Sequence, residues 1–219
     1  MRRIVVRAYK HSADVKTMIL LQVPFNEKEE AKALGARWDA KKKKWFVPEG
    51  MDASKFEKWT PDYEKEFSIK AISPFYLVKS KEPCWKCEKI SEVITFAAEG
   101  VIEDDKEHKE FVTFVYVSLL PEKLATFIAK KYENYFIDFS KTTQSYYYIN
   151  HCMHCSALLG DFYLHSEPDG AFFPMSEQAA KEIELIELKE SGYIQLSADT
   201  AYGYPSMIGE FASKIKHKP

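Results

Sequence analysis

A chain of 219 residues with 46% hydrophobic and 15% aromatic content can bury a sizeable core, which excludes global disorder. Its net charge of −2 hides an uneven split: residues 1–58 carry 14 Lys+Arg against 8 Asp+Glu, and the rest carries 17 against 25. The early apolar run over 18–23 is too short for a signal-peptide core or a membrane span, so a cytoplasmic protein with no membrane partner is expected.

Residues 17–23 are apolar and β-prone, ending at Pro24. Asn26 stands three residues before Glu29, a capping-box spacing for a helix over 27–34, and Gly35 suits the left-handed position that ends it. Residues 37–39 open an extended stretch, 40–43 make a turn, and 44–47 run back before Pro48. Asp52 or Ser54 caps a short helix through Lys58. The expected order is strand, helix, hairpin, helix, with Leu20, Val23, Phe25, Ala31, Leu34, Trp38, Trp45 and Phe46 as its core.

The stretch Val23-Pro-Phe-Asn-Glu-Lys-Glu-Glu-Ala-Lys-Ala-Leu-Gly-Ala-Arg-Trp-Asp39, followed by Lys44-Trp-Phe-Val-Pro48, resembles a small domain of unknown function. That domain is appended to conjugative-plasmid primases of the TraC type and to some topoisomerase-like proteins. The resemblance implies an accessory role in handling DNA or RNA. It does not imply primase or topoisomerase chemistry, because no such catalytic domain is visible in the chain.

Residues 61–82 read as a linker, with Pro61, a charged run over 62–66 and a short strand at 75–78. A second domain then runs over 83–219. Residues 93–97 and 111–119 are β-rich, and the charged 103–110 segment between them reads as a loop. Pro121 opens a helix through 131 with Leu124, Phe127 and Ile128 on one side. A strand at 146–149 leads into Cys152, and 160–174 is turn-rich. Ser176 caps a helix over 177–189, 194–196 is extended, and 208–216 forms a last helix. The fold class is therefore α+β: a small basic domain over 1–60, a linker, and a larger α+β domain that contains a zinc ribbon with a long insertion between its knuckles.

All four cysteines, Cys84, Cys87, Cys152 and Cys155, occur as Cys-x-x-Cys pairs with none left over. A two-residue gap turns both sulfurs of a pair toward one point, and two pairs make a tetrahedral thiolate set for one structural zinc ion. Each pair follows a β-prone stretch, as in the knuckles of a zinc ribbon. Sixty-four residues separate Cys87 from Cys152, so the intervening segment is an insertion. Neither pair is followed by the Gly that often completes a knuckle; Glu88 and Ser156 stand there. Redox chemistry at Cys84-Trp-Lys-Cys87, with Lys86 lowering a thiol pKa, is the competing reading, and disulfides are disfavoured in a reducing compartment. His151, His154 and His165 lie near the second pair, as substitute ligands, as donors to a thiolate or as plain surface residues. The run Asn150-His-Cys-Met-His-Cys-Ser-Ala-Leu-Leu-Gly-Asp-Phe-Tyr-Leu-His165 looks like knuckles in uncharacterised bacterial proteins.

Lys41, Lys42, Lys43 and Lys44 lie between Trp38 and Trp45, with Arg37 beside the first tryptophan. Lysines on a turn can contact phosphates, and an exposed Trp can stack on an unpaired base, a combination that favours single-stranded DNA or RNA. The plainer reading is a solvated turn between two core tryptophans. No catalytic constellation stands out. Asp104 and Asp105 read as a solvated face, and nothing in the spacing of Asp161, His165, Glu167 and Asp169 demands acid–base work. A non-enzymatic zinc protein is expected, with nucleic acid or a protein as partner.

Overall fold

The computed structural model describes residues 19–60, 67–189 and 192–216, so residues 1–18 and the 61–66 part of the expected linker lie outside the described residues. Contacts divide the chain into two compact units. Of the described residues, the first comprises 19–39 and Lys44–Thr60, and the second comprises Ala40–Lys43, 67–189 and 192–216. The architecture is mixed α+β and dominated by sheet. No helix among the described residues is long and apolar enough to cross a membrane.

In the first unit, β1 (Ile19–Leu21), β2 (Arg37–Asp39) and β3 (Lys44–Val47) form an antiparallel sheet in the order β1-β3-β2. Between β1 and β2 lie a 3-10 turn (Phe25–Glu27) and the helix α1 (Lys28–Ala33). Gly35 ends α1 at a φ of 104°, a left-handed conformation that favours glycine. Asp52 accepts from the Ser54 N–H and caps a second 3-10 helix, Ala53–Trp59. That helix supplies the large core residues, Phe56 and Trp59, which pack with Leu21, Ala31, Ala36 and Val47. The core expected from the sequence is corrected accordingly. Phe25 is 82% exposed, Leu34 is exposed, and Trp38 is 51% exposed on edge strand β2, while Trp45 packs only partly against the cluster. The helix over 53–59 takes the place that those side chains were expected to fill.

In the second unit two long strands organise everything else. β4 (Ile69–Pro83) and β5 (Ile90–Glu103) pair antiparallel along almost their whole length. The register shifts between Ile72 and Phe75, which lets β4 bend and change partners. Its first part pairs with β12 (Tyr193–Ala201), which pairs with β7 (Val112–Leu119), which pairs back with β5. These four strands thus close into a ring. Inside it pack Phe75, Phe96, Phe114, Leu196 and Val101, with the Phe75 and Phe96 rings stacked at 5.5 Å. The helix α2 (Glu122–Lys131) covers this cluster with Leu124, Phe127 and Ile128. The opposite face of β4 and β5 carries Tyr76, Val78, Val93 and Ala97 into a second cluster with Cys84, Cys152 and Phe172. Burial on both faces explains why 75–78 and 93–98 read as continuous apolar runs rather than alternating ones.

A separate sheet in the order β10-β9-β8 is built from β8 (Tyr135–Ser140), β9 (Ser145–His151) and β10 (Leu158–Leu159). The Asn150 side chain fastens it to β5, accepting from Ile94 N–H at 2.8 Å and donating to Ile94 C=O at 2.9 Å. Helix α3 (Asp161–His165) follows directly, inside the segment expected to be turns.

Several expected elements differ from those observed. Residues 69–82, placed in the linker, are most of β4 and sit at the centre of the sheet. The 103–110 loop is a hairpin, because Asp104 and Asp105 take the two positive-φ positions of a tight turn (48° and 57°) before β6 (Lys106–His108). The 177–189 helix stops early: α4 covers Glu177–Lys181, with Ser176 as its cap, and β11 (Glu184–Leu188) then pairs with β4. Apolar residues at 183, 185, 186 and 188 satisfy helical and strand periods alike, and the β4 edge decides between them. Likewise α5 (Ser206–Phe211) gives way to β13 (Ser213–Lys216), which runs parallel to β11.

Candidate metal centre

Each cysteine pair sits on the turn that joins two antiparallel strands. The first turn links β4 to β5, and the second links β9 to β10. The two turns share one hydrogen-bond plan. Cys84 N–H donates to Lys89 C=O at 2.9 Å and Glu88 N–H to Cys84 C=O at 2.8 Å. In the other turn Cys152 N–H donates to Ala157 C=O at 2.8 Å and Ser156 N–H to Cys152 C=O at 2.9 Å. Glu88 and Ser156, which stand where glycine was looked for, adopt φ values of 61° and 57°. The left-handed position is thus present in both turns and is filled by residues that pay a conformational penalty there.

The turns meet. Cys84 and Cys155 sulfurs lie 3.6 Å apart, as do those of Cys87 and Cys152, and all four lie within 4.8 Å of one another. None is bonded in a disulfide. A tetrahedron with metal–sulfur bonds of about 2.3 Å has edges of about 3.8 Å, so the spacing fits one ion. Backbone N–H groups of Lys86 and His154 point at Cys84 Sγ and Cys152 Sγ, each at 3.4 Å, and the Ser91 hydroxyl donates to Cys152 Sγ at 3.3 Å. Such donors stabilise sulfur as thiolate.

Electrostatics point the same way. At Cys152 burial pushes the thiol up, but the Ser91 hydroxyl and the His154 and Cys155 N–H groups outweigh it and bring it down to about 6. At Cys87 the Lys89 N–H pulls the thiol down, while burial and its three sulfur neighbours push it up to about 12. One thiolate forms readily and the last is resisted by the others; a cation at the centre removes that resistance.

The histidines stay outside the sulfur cluster. His154 Nε2 donates to Ile90 C=O at 3.0 Å. His151 is buried flat against Phe136 at 3.9 Å, with Nδ1 at 2.9 Å from Ile149 C=O and Nε2 at 3.2 Å from Asp138 Oδ2. A carbonyl only accepts, so Nδ1 is the donor to Ile149 C=O. His165 is 1% exposed, its ring nitrogens have no partner, and burial holds its pKa down to about 3, so it is neutral. Asp161, also buried, accepts from Tyr116 N–H at 2.7 Å, and burial pushes it up to about 7 against that bond. Glu167 and Asp169 are exposed, so these four candidates are split between core and surface.

The basic segment is divided as well. Arg37 and Trp38 are exposed on β2, and the Trp38 ring meets Trp45 of β3 edge-on at 5.7 Å. The turn Ala40–Lys43 groups with the second unit. There Lys41 pairs with the Glu133 carboxylate, Lys42 donates to Glu133 C=O at 2.7 Å, and Lys43 donates to Cys155 C=O at 3.0 Å. Ser156 Oγ donates to Lys41 C=O at 2.7 Å. Lys44 lies on β3. Residues that position the site but were not singled out from the sequence are Ser91 and Asn150. A lone Asn at the end of the apolar run Tyr146-Tyr-Tyr-Ile149 was the available signal for the second.

Residues 18–61 match the family described as "Domain of unknown function (DUF5710)". Two Escherichia coli proteins titled "DNA primase TraC" are 59% and 56% identical to the chain over 39 residues, 18% of its length. Those residues span only 4% and 3% of the two primases. No solved structure matches the chain. The likeness to proteins of known title is thus local, and it falls on the N-terminal segment.

Proposed function

We propose that this chain is a non-enzymatic, zinc-stabilised accessory protein that contacts single-stranded DNA or RNA through its N-terminal module. The observation that carries the metal half is the convergence of two like-built Cys-x-x-Cys turns on one point. An all-thiolate tetrahedral set favours zinc, and four protein ligands leave no open coordination position, so the ion is structural. It would be held by Cys84, Cys87, Cys152 and Cys155 and would tie the β4–β5 turn to the β9–β10 turn, as the two knuckles of a zinc ribbon. The nucleic-acid half is supported by the local likeness to two DNA primases and by Arg37 and Trp38 on the surface of the matched segment.

Elemental analysis of the purified chain is expected to give one zinc per molecule. A labelled oligothymidylate of about 12 nucleotides is expected to bind, with affinity falling as salt rises. Absent metal together with reversibly oxidised thiols rejects the metal half in favour of the redox alternative. Absent binding at roughly 50 mM salt rejects the nucleic-acid half.

A protein-docking role has one observation of its own in its favour. Trp85 is 73% exposed in the first turn, with its indole N–H fixed to Leu158 C=O at 2.8 Å, and Met153 is exposed in the second. Recovery of a stoichiometric partner from nuclease-treated extract, lost with Trp85→Ala, favours that reading.

A further inference from the structure

The basic turn and the tryptophans, adjacent in sequence, are not equivalent as anion-binding groups. The ammonium groups of Lys41, Lys42 and Lys43 are already used on Glu133 and Cys155 within the second unit. Arg37 and Trp38 face the other way in chemical terms. They line an open concavity of about 810 Å³ in the first unit, together with Lys28, Lys32, Trp45, Met51 and the acidic Glu29 and Glu49. Lys28 and Lys32 project from α1 four residues apart, hence from one face of the helix, and Arg37 comes from β2. None of these three cations forms an ion pair among the described residues; Lys28 rests over the Phe25 ring at 3.9 Å. Trp38 presents an exposed indole at the wall of the concavity, braced edge-on by Trp45 at 5.7 Å.

We infer that this concavity, rather than the lysine turn, is where the N-terminal module takes a single-stranded nucleic acid. An unpaired base stacks on Trp38, and Lys32 and Arg37, with Lys28 beside them, neutralise its flanking phosphates. The inference rests on the reading that this module contacts nucleic acid, and it names the ligand-bearing side chains. Three features select this occupant. A half-exposed Trp held by a second ring offers a fixed π-face without further ordering, which suits any base. Lys28, Lys32 and Arg37 outnumber Glu29 and Glu49 on the lining and none of the three is held in an ion pair among the described residues, which matches a polyanion rather than an apolar peptide. A double helix keeps its base faces stacked internally, so the exposed indole gains nothing from a duplex.

Full-length chain variants and a labelled oligothymidylate of about 12 nucleotides test this at roughly 50 mM salt. Trp38→Ala is expected to weaken binding about tenfold, with Trp38→Phe restoring part of the loss. The Lys32→Ala/Arg37→Ala pair is expected to weaken binding and to lower the slope of log affinity against log salt by about 1.4. Both residues are exposed, so this variant reports on binding even if Trp38→Ala were to disturb the fold. The Lys41→Ala/Lys42→Ala/Lys43→Ala variant is expected to bind within about twofold of the parent, having removed no phosphate contact. Loss of binding in the turn variant, with the Trp38 and Lys32/Arg37 variants unaffected, overturns the concavity while leaving nucleic-acid contact standing. Failure of the parent chain to bind overturns both.

Discussion

The two cysteine turns have the same backbone plan and opposite kinds of support. The first crowns the β4–β5 ladder, whose register runs unbroken from Phe75↔Ala98 to Pro83↔Ile90 and whose faces are both buried over 75–78 and 93–98. The second rides on β9 and the two-residue β10, and beyond the packing of Ala157 and Leu159 in the second cluster it is held by individual polar groups. Asn150 clamps Ile94, Asn134 donates to Glu92 C=O at 2.9 Å, and the Ser91 hydroxyl reaches both Cys152 Sγ and Met153 N–H. A ladder spreads its support over many bonds, whereas a clamp concentrates it in a few side chains. Single substitutions should therefore damage the second turn's placement far more than the first's.

The largest expected effect breaks both turns at once. Cys152→Ser removes one of the four clustered sulfurs, the one that Ser91 supports. Apparent zinc-binding energies of about 10–16 kcal/mol exceed the whole stability of most domains, so this variant should lose its metal and the cooperative unfolding of the second unit. Circular dichroism melts with and without chelator check it. Next is Asn150→Ala, which strands a buried N–H and a buried C=O of Ile94 and should cost about 2–4 kcal/mol, read as a lower urea midpoint. No single substitution on the exposed side of the β4–β5 end should match it.

Asp161→Asn comes third, through pH. Asp161 is held near 7 in the folded chain against 3.8 ordinarily, so the native state keeps an extra proton between those values. Stability from this group is full below about pH 4, falls as pH rises through about 4 to 7, and is flat above. Asn at this position should abolish that slope and raise stability above neutral pH by about 1–3 kcal/mol, the upper limit being eroded by an unpartnered amide N–H. Urea titrations at several pH values would show it. The smallest effect concerns the left-handed residues. Glu88→Gly should stabilise by about 0.5–1 kcal/mol in thermal melts, and Ser156→Gly by less, because Ser156 also donates to Lys41 C=O at 2.7 Å. Equal gains at both positions would mean that the Ser156 hydroxyl contributes nothing.

The mixed α+β class and the meeting of the four cysteines were legible because they rest on local signals, namely apolar periodicity and the Cys-x-x-Cys spacing. The likeness of the N-terminal segment was legible in its Gly-Ala-Arg-Trp-Asp run. What escaped was set by distant partners. Residues 69–82 looked like a connection because Pro61 and the charged 62–66 run precede them, yet pairing with β5 makes them strand. The 183–188 segment fits either period until the edge of β4 selects one. In the small unit, Phe25, Leu34 and Trp38 were natural core candidates by size, and nothing local says that Phe56 and Trp59 fill that space instead. The use of Lys41, Lys42 and Lys43 on Glu133 and Cys155, about a hundred residues away, leaves no trace in the turn's own sequence.

X-ray absorption at the zinc edge of the purified full-length chain tests most directly whether two remote turns share a single ion. Four sulfur scatterers at about 2.3 Å, with one zinc per chain, are expected. A shell containing nitrogen or oxygen, or protein that carries no zinc and whose thiols titrate independently, would contradict it.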